Sequence, residues 1–300
     1  MTFSIVIPTK NRPKELLRLF IAIINQTRLP DQVIIVDQSN PKNVIKKTII
    51  SKARKVNLEL NYLHNEKING LVQAKDYSIS YNQCDYISFF DDDILIEKDY
   101  FLFIERAFKS FPGMIGANGV ITNMPKKNGF KSFIFKLTHF GIFKDNRLKT
   151  TRSLNLDSDN PKNVNVLSGG LSTWKKQVFE KVNFDTKNKF HSYEDIEFSI
   201  RVEKIFPGSM FIIPKARLSH HHASLNRQSL LLRTQNDVIE VWMLFKKNKN
   251  FNFLGLDFLI LILGLFFNSI FLNFRYRNLK FIKNFFSGFI LGLNKNIIRK

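Results

Sequence analysis

The chain has a single cysteine, Cys84, among 300 residues. An internal disulfide is therefore excluded, and a reducing compartment suits the protein. Cys84 itself reads as a small residue near a strand start. Acidic residues are scarce, 25 against 46 Lys and Arg, which leaves a formal net charge of +21. Such an excess is compatible with nucleic acid or anionic membrane. The lysines, however, come with Asn, Ile and Phe along the whole chain, so the charge singles out no partner. Several nucleotide motifs are missing. Pro8-Thr9-Lys10-Asn11-Arg12 stands where a Gly-rich dinucleotide fingerprint would follow the first strand. No phosphate-binding P-loop occurs, and no Cys/His pattern has zinc spacing. A diphosphate ligand would have to meet a metal or basic side chains instead. Met1-Thr2-Phe3-Ser4 runs straight into a strand-like segment, so no leader is expected ahead of it. No internal repeat is present. The 44% apolar fraction supports a substantial core, in one large domain or two small ones.

What is present, over the first hundred residues, is an alternation of two periods. Ser4–Pro8, Gln32–Val36, Leu58–Leu63 and Tyr86–Phe90 read as strands. Lys14–Asn25, Asn43–Arg54 and Gly70–Asn82 read as helices, the first with Leu16, Leu17, Phe20, Ile23 and Ile24 on one side. The pattern predicts right-handed crossovers and a mainly parallel sheet. Ligands of such sheets lie beyond the carboxyl ends of the strands. The polar residues there are Thr9, Asn11 and Arg12, then Asp37, Gln38 and Ser39, then Asn65, then Asp91, Asp92 and Asp93, and all four groups are expected to line one crevice. Residues 99–111 predict a further helix and Met114–Thr122 a further strand. Asn123–Asn163 is polar, basic and irregular apart from an aromatic patch, Phe130–Phe143, and reads as a loop over the crevice or an acceptor-side insertion. Regularity returns at Val164–Leu167.

Three adjacent carboxylates after a buried strand repel one another, and burial penalises each. A hard divalent cation with a phosphorylated ligand would offset them; a solvated strand end that caps the next helix is the plainer alternative. Ser168-Gly169-Gly170 follows a strand, and its glycines let backbone approach a ligand closely, or simply turn. Glu194, Asp195 and Glu197 occupy the first turn of a helix, where the dipole favours carboxylates. Of His220-His221-His222, at most one is expected to join a metal.

The tail changes character. Phe251–Leu272 is almost entirely apolar, interrupted by Asp257 and Asn268; Arg275-Tyr276-Arg277 follows, then a shorter apolar block, Phe281–Leu293. A single span would put the basic end, Lys295–Lys300, across the membrane from the catalytic domain, against the positive-inside tendency. Two helices in the interface, or a shallow hairpin meeting anionic lipid, are expected instead; a surface buried against the rest of the chain or a second subunit is the alternative. Two regions follow, a catalytic domain at 1–225 and a helical, membrane-associated region at 226–300, on the cytoplasmic face of the cell membrane.

Taken in order, Pro8-Thr9-Lys10-Asn11-Arg12, Asp37-Gln38-Ser39, Asp91-Asp92-Asp93, Ser168-Gly169-Gly170, Glu194-Asp195 and His220 resemble the family 2 glycosyltransferases of the GT-A fold, over roughly residues 3–222. The resemblance implies a Rossmann-like, mixed but mostly parallel sheet flanked by helices. It implies inverting transfer of a sugar from a nucleotide diphosphate to a hydroxyl of a glycan or lipid-linked acceptor, as in assembly of bacterial surface polysaccharide or glycolipid, with Mn2+ or Mg2+ and without nucleic acid. It assigns the metal to Asp91, Asp93 and His220. It gives the nucleotide sugar to Pro8, Thr9, Arg12, Asp37, Asn65, Asp91, Asp92, Gly169, Gly170 and Glu194, and the catalytic base to Asp195. Gln38 and Ser39 stand where many members have an acidic residue or Gly, which leaves the donor nucleotide open. A sugar-phosphate nucleotidyltransferase would also use metal and carboxylates, but its usual Gly-rich basic N-terminal loop is missing. A non-catalytic basic protein binding membrane or nucleic acid gives the ordered acidic motifs no role.

Overall fold

The computed structural model describes residues 1–124, 145–147, 154–188, 190–221, 229–248 and 255–294. Most of the expected 123–163 insertion with its aromatic patch, His222 and the Lys295–Lys300 end lie outside them. By compactness the chain forms two units. The first comprises Met1–Met124, Asn146–Phe184 and Phe198–Asn226; the second comprises Pro125–Asp145, Asp185–Glu197 and Arg227–Lys300.

The first unit opens with the expected alternation: β1 (Phe3–Thr9), α1 (Pro13–Ile24), β2 (Gln32–Asp37), α2 (Lys46–Lys55), β3 (Glu59–His64), α3 (Leu71–Ile79) and β4 (Tyr86–Phe90). Pro13 starts α1 because its fixed φ suits the first helical turn and its missing N–H is not needed there. Strands β1, β2 and β4 are buried throughout, as parallel strands covered on both faces must be. Alternate side chains enter different cores. Phe3, Ile5 and Ile7 pack with Leu16, Phe20, Phe101 and Phe108. Val6 packs on the other face with Ile34, Phe89, Trp174 and Phe198.

The chain continues through β5 (Ile94–Ile96), α4 (Tyr100–Ser110), β6 (Gly116–Ile121), β7 (Lys162–Val164), β8 (Leu171–Lys175) and β9 (Met210–His220). The nine strands of the described residues form one sheet in the order β3-β2-β1-β4-β8-β6-β9-β5, with β7 on β9. Most paired residues lie in parallel ladders, but β8 runs antiparallel to both neighbours, and β5 and β7 run antiparallel to β9. Two local expectations change. The strand expected at Val164–Leu167 is Lys162–Val164, and Ser168-Gly169-Gly170 leads into β8 rather than out of a strand. Pairing with β4 and β6 makes residues 171–175 a strand, and no local sequence signal carries that information.

In the second unit lie residues 185–197, which include the first turn of α5 (Glu194–Ile205), and, among the described residues, three further helices: α6 (Leu230–Lys247), α7 (Gly255–Tyr276) and α8 (Lys280–Leu293). Trp242 of α6 meets Phe258 of α7 and Phe289 of α8, with ring centroids 4.5 and 5.4 Å away. Phe266 packs on Phe285 at 5.2 Å.

Candidate active site

Register brings the chemistry of the first unit together. Thr9 pairs with Asp37, and Asp37 with His64, so the carboxyl ends of β1, β2 and β3 lie side by side. Thr9 and Asp37 prove to be the last residues of their strands rather than the first beyond them. The β1–β4 ladder stops at Val6–Phe89. Pro8 lies past that point, where it has no N–H to give β4, and the two strand ends part there.

Beyond the strand ends the loops are stitched to one another. Asn11, at φ 55°, occupies the left-handed region that Asn tolerates. Its N–H donates to Ser39 Oγ at 2.6 Å, and its side-chain oxygen accepts the Asn40 N–H at 2.9 Å. Asp37 is buried. Its Oδ1 accepts the Ser39 N–H at 2.9 Å, and its Oδ2 accepts the Tyr62 hydroxyl. Burial and the adjacent Asp37 raise the Tyr62 pKa well above the ordinary phenol value. The Asn65 N–H donates to Asp37 O at 2.9 Å, while the Asn65 side chain accepts the Lys67 N–H at 3.0 Å and closes the turn after β3.

The three carboxylates after β4 have separate partners. Asp92 turns inward. It accepts from Thr9 Oγ1 at 2.7 Å and from Arg12 Nη1 at 2.9 Å, and so ties the β1 loop to the β4 end. Burial raises its pKa to about 6, although Thr9 and Arg12 pull the other way. Asp93 is buried beside His220, with Oδ1 and Nε2 2.8 Å apart. Strand β9 delivers that imidazole: His220 pairs with Ile94, one residue past Asp93. Two hydrogen bonds with Asn123, at 2.9 and 3.0 Å, fix its backbone. His221 is exposed, and its ring bonds Ser219 Oγ instead.

Asp91 lies against the glycine pair. Its N–H donates to Gly170 O at 2.9 Å, and a Cβ on Gly170 would collide with its carboxylate. Here close approach, not a turn, requires glycine. Burial raises the Asp91 pKa; Lys75 opposes this and Asp93 adds to it. Lys75 was not foreseen from the sequence. It is only 1% exposed, on α3, and its ammonium donates to Gly169 O at 3.0 Å. It also sits over the Phe89 and Phe184 rings. Its buried neighbours Val72, Ala74 and Ser78 share that side of α3, and a lysine among them is the one sequence cue it leaves. Tyr62 and His64 were likewise missed.

One ligand atom from each of Asp91, Asp93 and His220 falls within 4.8 Å of the others. Two carboxylates and an imidazole form a donor set that suits Mn2+, and Mg2+ where further oxygens come from a ligand. The electrostatics fit as well. Asp91, which burial pushes toward protonation, would be ionised outright once a divalent cation joined it. Gly170→Ala should therefore displace the Asp91 carboxylate and weaken Mn2+ binding by at least about 10-fold, the low end for disturbing the support of a ligand. Isothermal titration of Mn2+ checks this; unchanged affinity would mean that the glycine matters only to the turn.

Glu194 and Asp195 belong to the second unit. Glu194 is buried, and Asp195 is half-buried with Oδ1 accepting the Ile196 N–H at 2.8 Å. Glu197 is buried and pairs with Lys247 of α6, which also binds Asp185. Burial alone would raise the Asp185 pKa, but Lys247 and Asn188 outweigh it and hold it below the ordinary range.

The family model described as glycosyl transferase family 2 matches residues 4–182. A comparison with curated proteins found no match. Among solved structures, S. aureus TarS is similar at 17% identity and TM-score 0.61, over 99% of this chain and 50% of its own. S. aureus TarS 1-349 in complex with UDP-GlcNAc is similar at 15% identity and TM-score 0.62, over 99% and 83%. GalNAc-T7 with UDP, GalNAc and Mn2+ is similar at 18% identity and TM-score 0.60, over 81% and 48%. The chain thus spans about half the length of the TarS and GalNAc-T7 chains it matches. These likenesses show the GT-A fold, and with well over half of its length inside the family match, the chain belongs to glycosyl transferase family 2.

Proposed function

We propose that this protein is an inverting glycosyltransferase that moves a sugar from a nucleotide diphosphate to a hydroxyl of a glycan or lipid-linked acceptor. The observation that carries the reading is the convergence of Asp91, Asp93 and His220 beside the aligned ends of β1 and β2. Pro8, Thr9, Arg12, Asp37 and Asn65 border that place and would receive the nucleotide, with the Gly169-Gly170 backbone against the donor sugar; the family resemblance also assigns Glu194, at the start of α5, to the nucleotide sugar. Asp91, Asp93 and His220 would hold a divalent cation, which would supply charge neutralisation to the departing diphosphate. Asp195 accepts the proton of the acceptor hydroxyl as its oxygen attacks the anomeric carbon. The bond from that carbon to the diphosphate oxygen breaks on the opposite side, the electron pair leaves with the diphosphate, and configuration inverts. The transition state has oxocarbenium character. Arg12 holds Asp92 and lies 3.7 Å from Asp93, so it fixes two of the three carboxylates.

The test is a donor screen. UDP-GlcNAc, UDP-GalNAc, UDP-glucose and their GDP and dTDP counterparts are incubated with Mn2+ or Mg2+, with and without EDTA. Release of nucleoside diphosphate that EDTA abolishes is expected. Release of pyrophosphate from a nucleoside triphosphate plus a sugar phosphate would replace this reading with nucleotidyl transfer.

The same proposal places the second unit on the cytoplasmic face of the cell membrane, where an acceptor of surface polysaccharide or glycolipid assembly would be lipid-linked. Its support is the two-faced character of α7. Phe258–Tyr276 is long and apolar enough to cross a membrane. Yet Phe258, Leu261, Ile262, Leu265, Ser269 and Leu272 are buried on one side, and Leu256, Leu259, Leu263, Phe267 and Phe274 are exposed on the other. At 100° per residue the exposed set forms one narrow stripe. The inner side packs on α6 and α8, and α8 carries exposed Lys280 and Lys283. Such a helix fits a bilayer lengthwise, with its stripe among acyl chains and Arg275, Arg277, Lys280 and Lys283 at anionic headgroups. The double variant Leu263→Glu, Phe267→Glu should lose flotation with phosphatidylglycerol vesicles and keep its melting temperature. Retained flotation would remove this face from consideration.

A further inference from the structure

The second unit contains a buried acid for which the transfer reaction has no direct use. Glu240 lies on α6, among Val238, Val241 and Leu244, and is only 4% exposed. A carboxyl there is costly unless something requires it. What it meets is backbone. Its Oε2 accepts the N–H groups of Ser192 and Tyr193, each at 2.9 Å, and the carboxyl also accepts the His191 N–H. These amides precede the first residue of α5 and so lie outside its own ladder of hydrogen bonds. Asp237, one turn earlier on α6, takes the Ser192 side chain. Lys247, further along the same side of α6, holds Glu197 and Asp185. One helix therefore grips the chain on both sides of Asp195: two and three residues before it through Glu240, and two residues after it through Lys247.

We propose that Glu240 is a positioning residue, which sets the backbone ahead of Asp195 so that its carboxylate meets the acceptor hydroxyl in line. The proposal rests on the reading of Asp195 as the base. A carboxyl is suited to the task because one oxygen accepts several converging N–H groups, which no apolar side chain can do. The oxygen accepts whether or not the acid is protonated, so an amide in its place preserves most of the geometry. Reaction rates are steep in this distance: a shift of about 1 Å can cost about 10²-fold. Apart from Glu194, the residues assigned to the nucleotide and the metal lie on other elements, so the UDP Kd is expected to hold.

The experiment compares Glu240→Ala, Glu240→Gln and Glu240→Asp with Asp195→Asn in the full chain. The readouts are kcat and KM with the nucleotide sugar found active in the donor screen, the Kd of UDP with Mn2+, and amide hydrogen exchange. Glu240→Ala should lower kcat by roughly 10- to 100-fold, keep KM and the UDP Kd within about twofold, and speed exchange at Ser192 and Tyr193 selectively. Glu240→Gln should recover most of kcat. Glu240→Asp, shorter by one methylene, should fall between them, and it carries the test if the alanine variant does not fold. The proposal is overturned by a kcat within twofold of the parent in both Ala and Asp variants, by a Gln variant as impaired as Ala, or by unchanged exchange at Ser192 and Tyr193. A loss of kcat matched by an equal loss of UDP affinity would also overturn it, since that marks a merely structural residue. If instead Asp195→Asn retains transfer, the base reading itself fails, and the exchange data alone decide whether Glu240 orders this turn.

Discussion

Asp195→Asn should lower transfer by roughly 10² to 10⁴-fold, the range for losing a general base, while UDP binds with Mn2+ as tightly as before. The substitution is nearly isosteric. Asn keeps a side-chain oxygen to accept the Ile196 N–H, the bond that Asp195 Oδ1 makes at 2.8 Å, so the start of α5 should stay folded. What disappears is the capacity to take a proton. A base acts only as the acceptor attacks, so its loss should appear in kcat and leave the donor's ground-state affinity alone. Steady-state kinetics with titration calorimetry of UDP checks this. A parallel fall in UDP affinity would move Asp195 from the base to the donor site, and full activity would end the assignment.

Asp93→Asn should fail differently. This carboxylate is buried, its Oδ1 meets His220 at 2.8 Å and its Oδ2 lies 3.7 Å from Arg12. Asn keeps the shape but removes a formal charge from a set that needs charge to hold a divalent cation. Transfer should fall by roughly 10² to 10³-fold, as when a group that stabilises developing charge is deleted. Here, unlike the base variant, UDP affinity in Mn2+ should fall with it. Melting temperature gives an independent readout. Mn2+ at 100 times its Kd should stabilise the parent by about 2.7 kcal/mol, and the variant by much less. An equal Mn2+ effect on both would show that the ion binds elsewhere.

Much of the first unit was legible because parallel strands and their crossover helices carry strong local patterns. Val and Ile runs, amphipathic spacing and polar strand ends located β1 to β4 and α1 to α3 to within a few residues, and with them Thr9, Asp37 and Asp91 to Asp93. Less was legible after residue 120. Strand β8 exists because it completes an antiparallel ladder with β4 and β6, and that pairing is the reason Gly170 faces Asp91. Lys75 was overlooked because a lysine on an amphipathic helix is ordinarily solvated; here Gly169 O and the Phe89 and Phe184 rings receive it. Glu240 gave no signal for the same reason, since its partners are backbone amides about 47 residues away.

The amino-acid order by itself determined which segments become strands and helices in the first hundred residues and which carboxylates stand at the strand ends, because these depend on neighbours two to four positions apart. The resemblance pointed to His220 from its place in the motif order, but only the tertiary structure decided that its ring, and not that of His221, lies with Asp91 and Asp93, that Asp92 turns inward to Thr9 and Arg12, and that α6 grips the chain around Asp195. Those outcomes depend on sheet register and on burial, which bring together groups dozens to more than a hundred residues apart and leave no periodic trace along the chain.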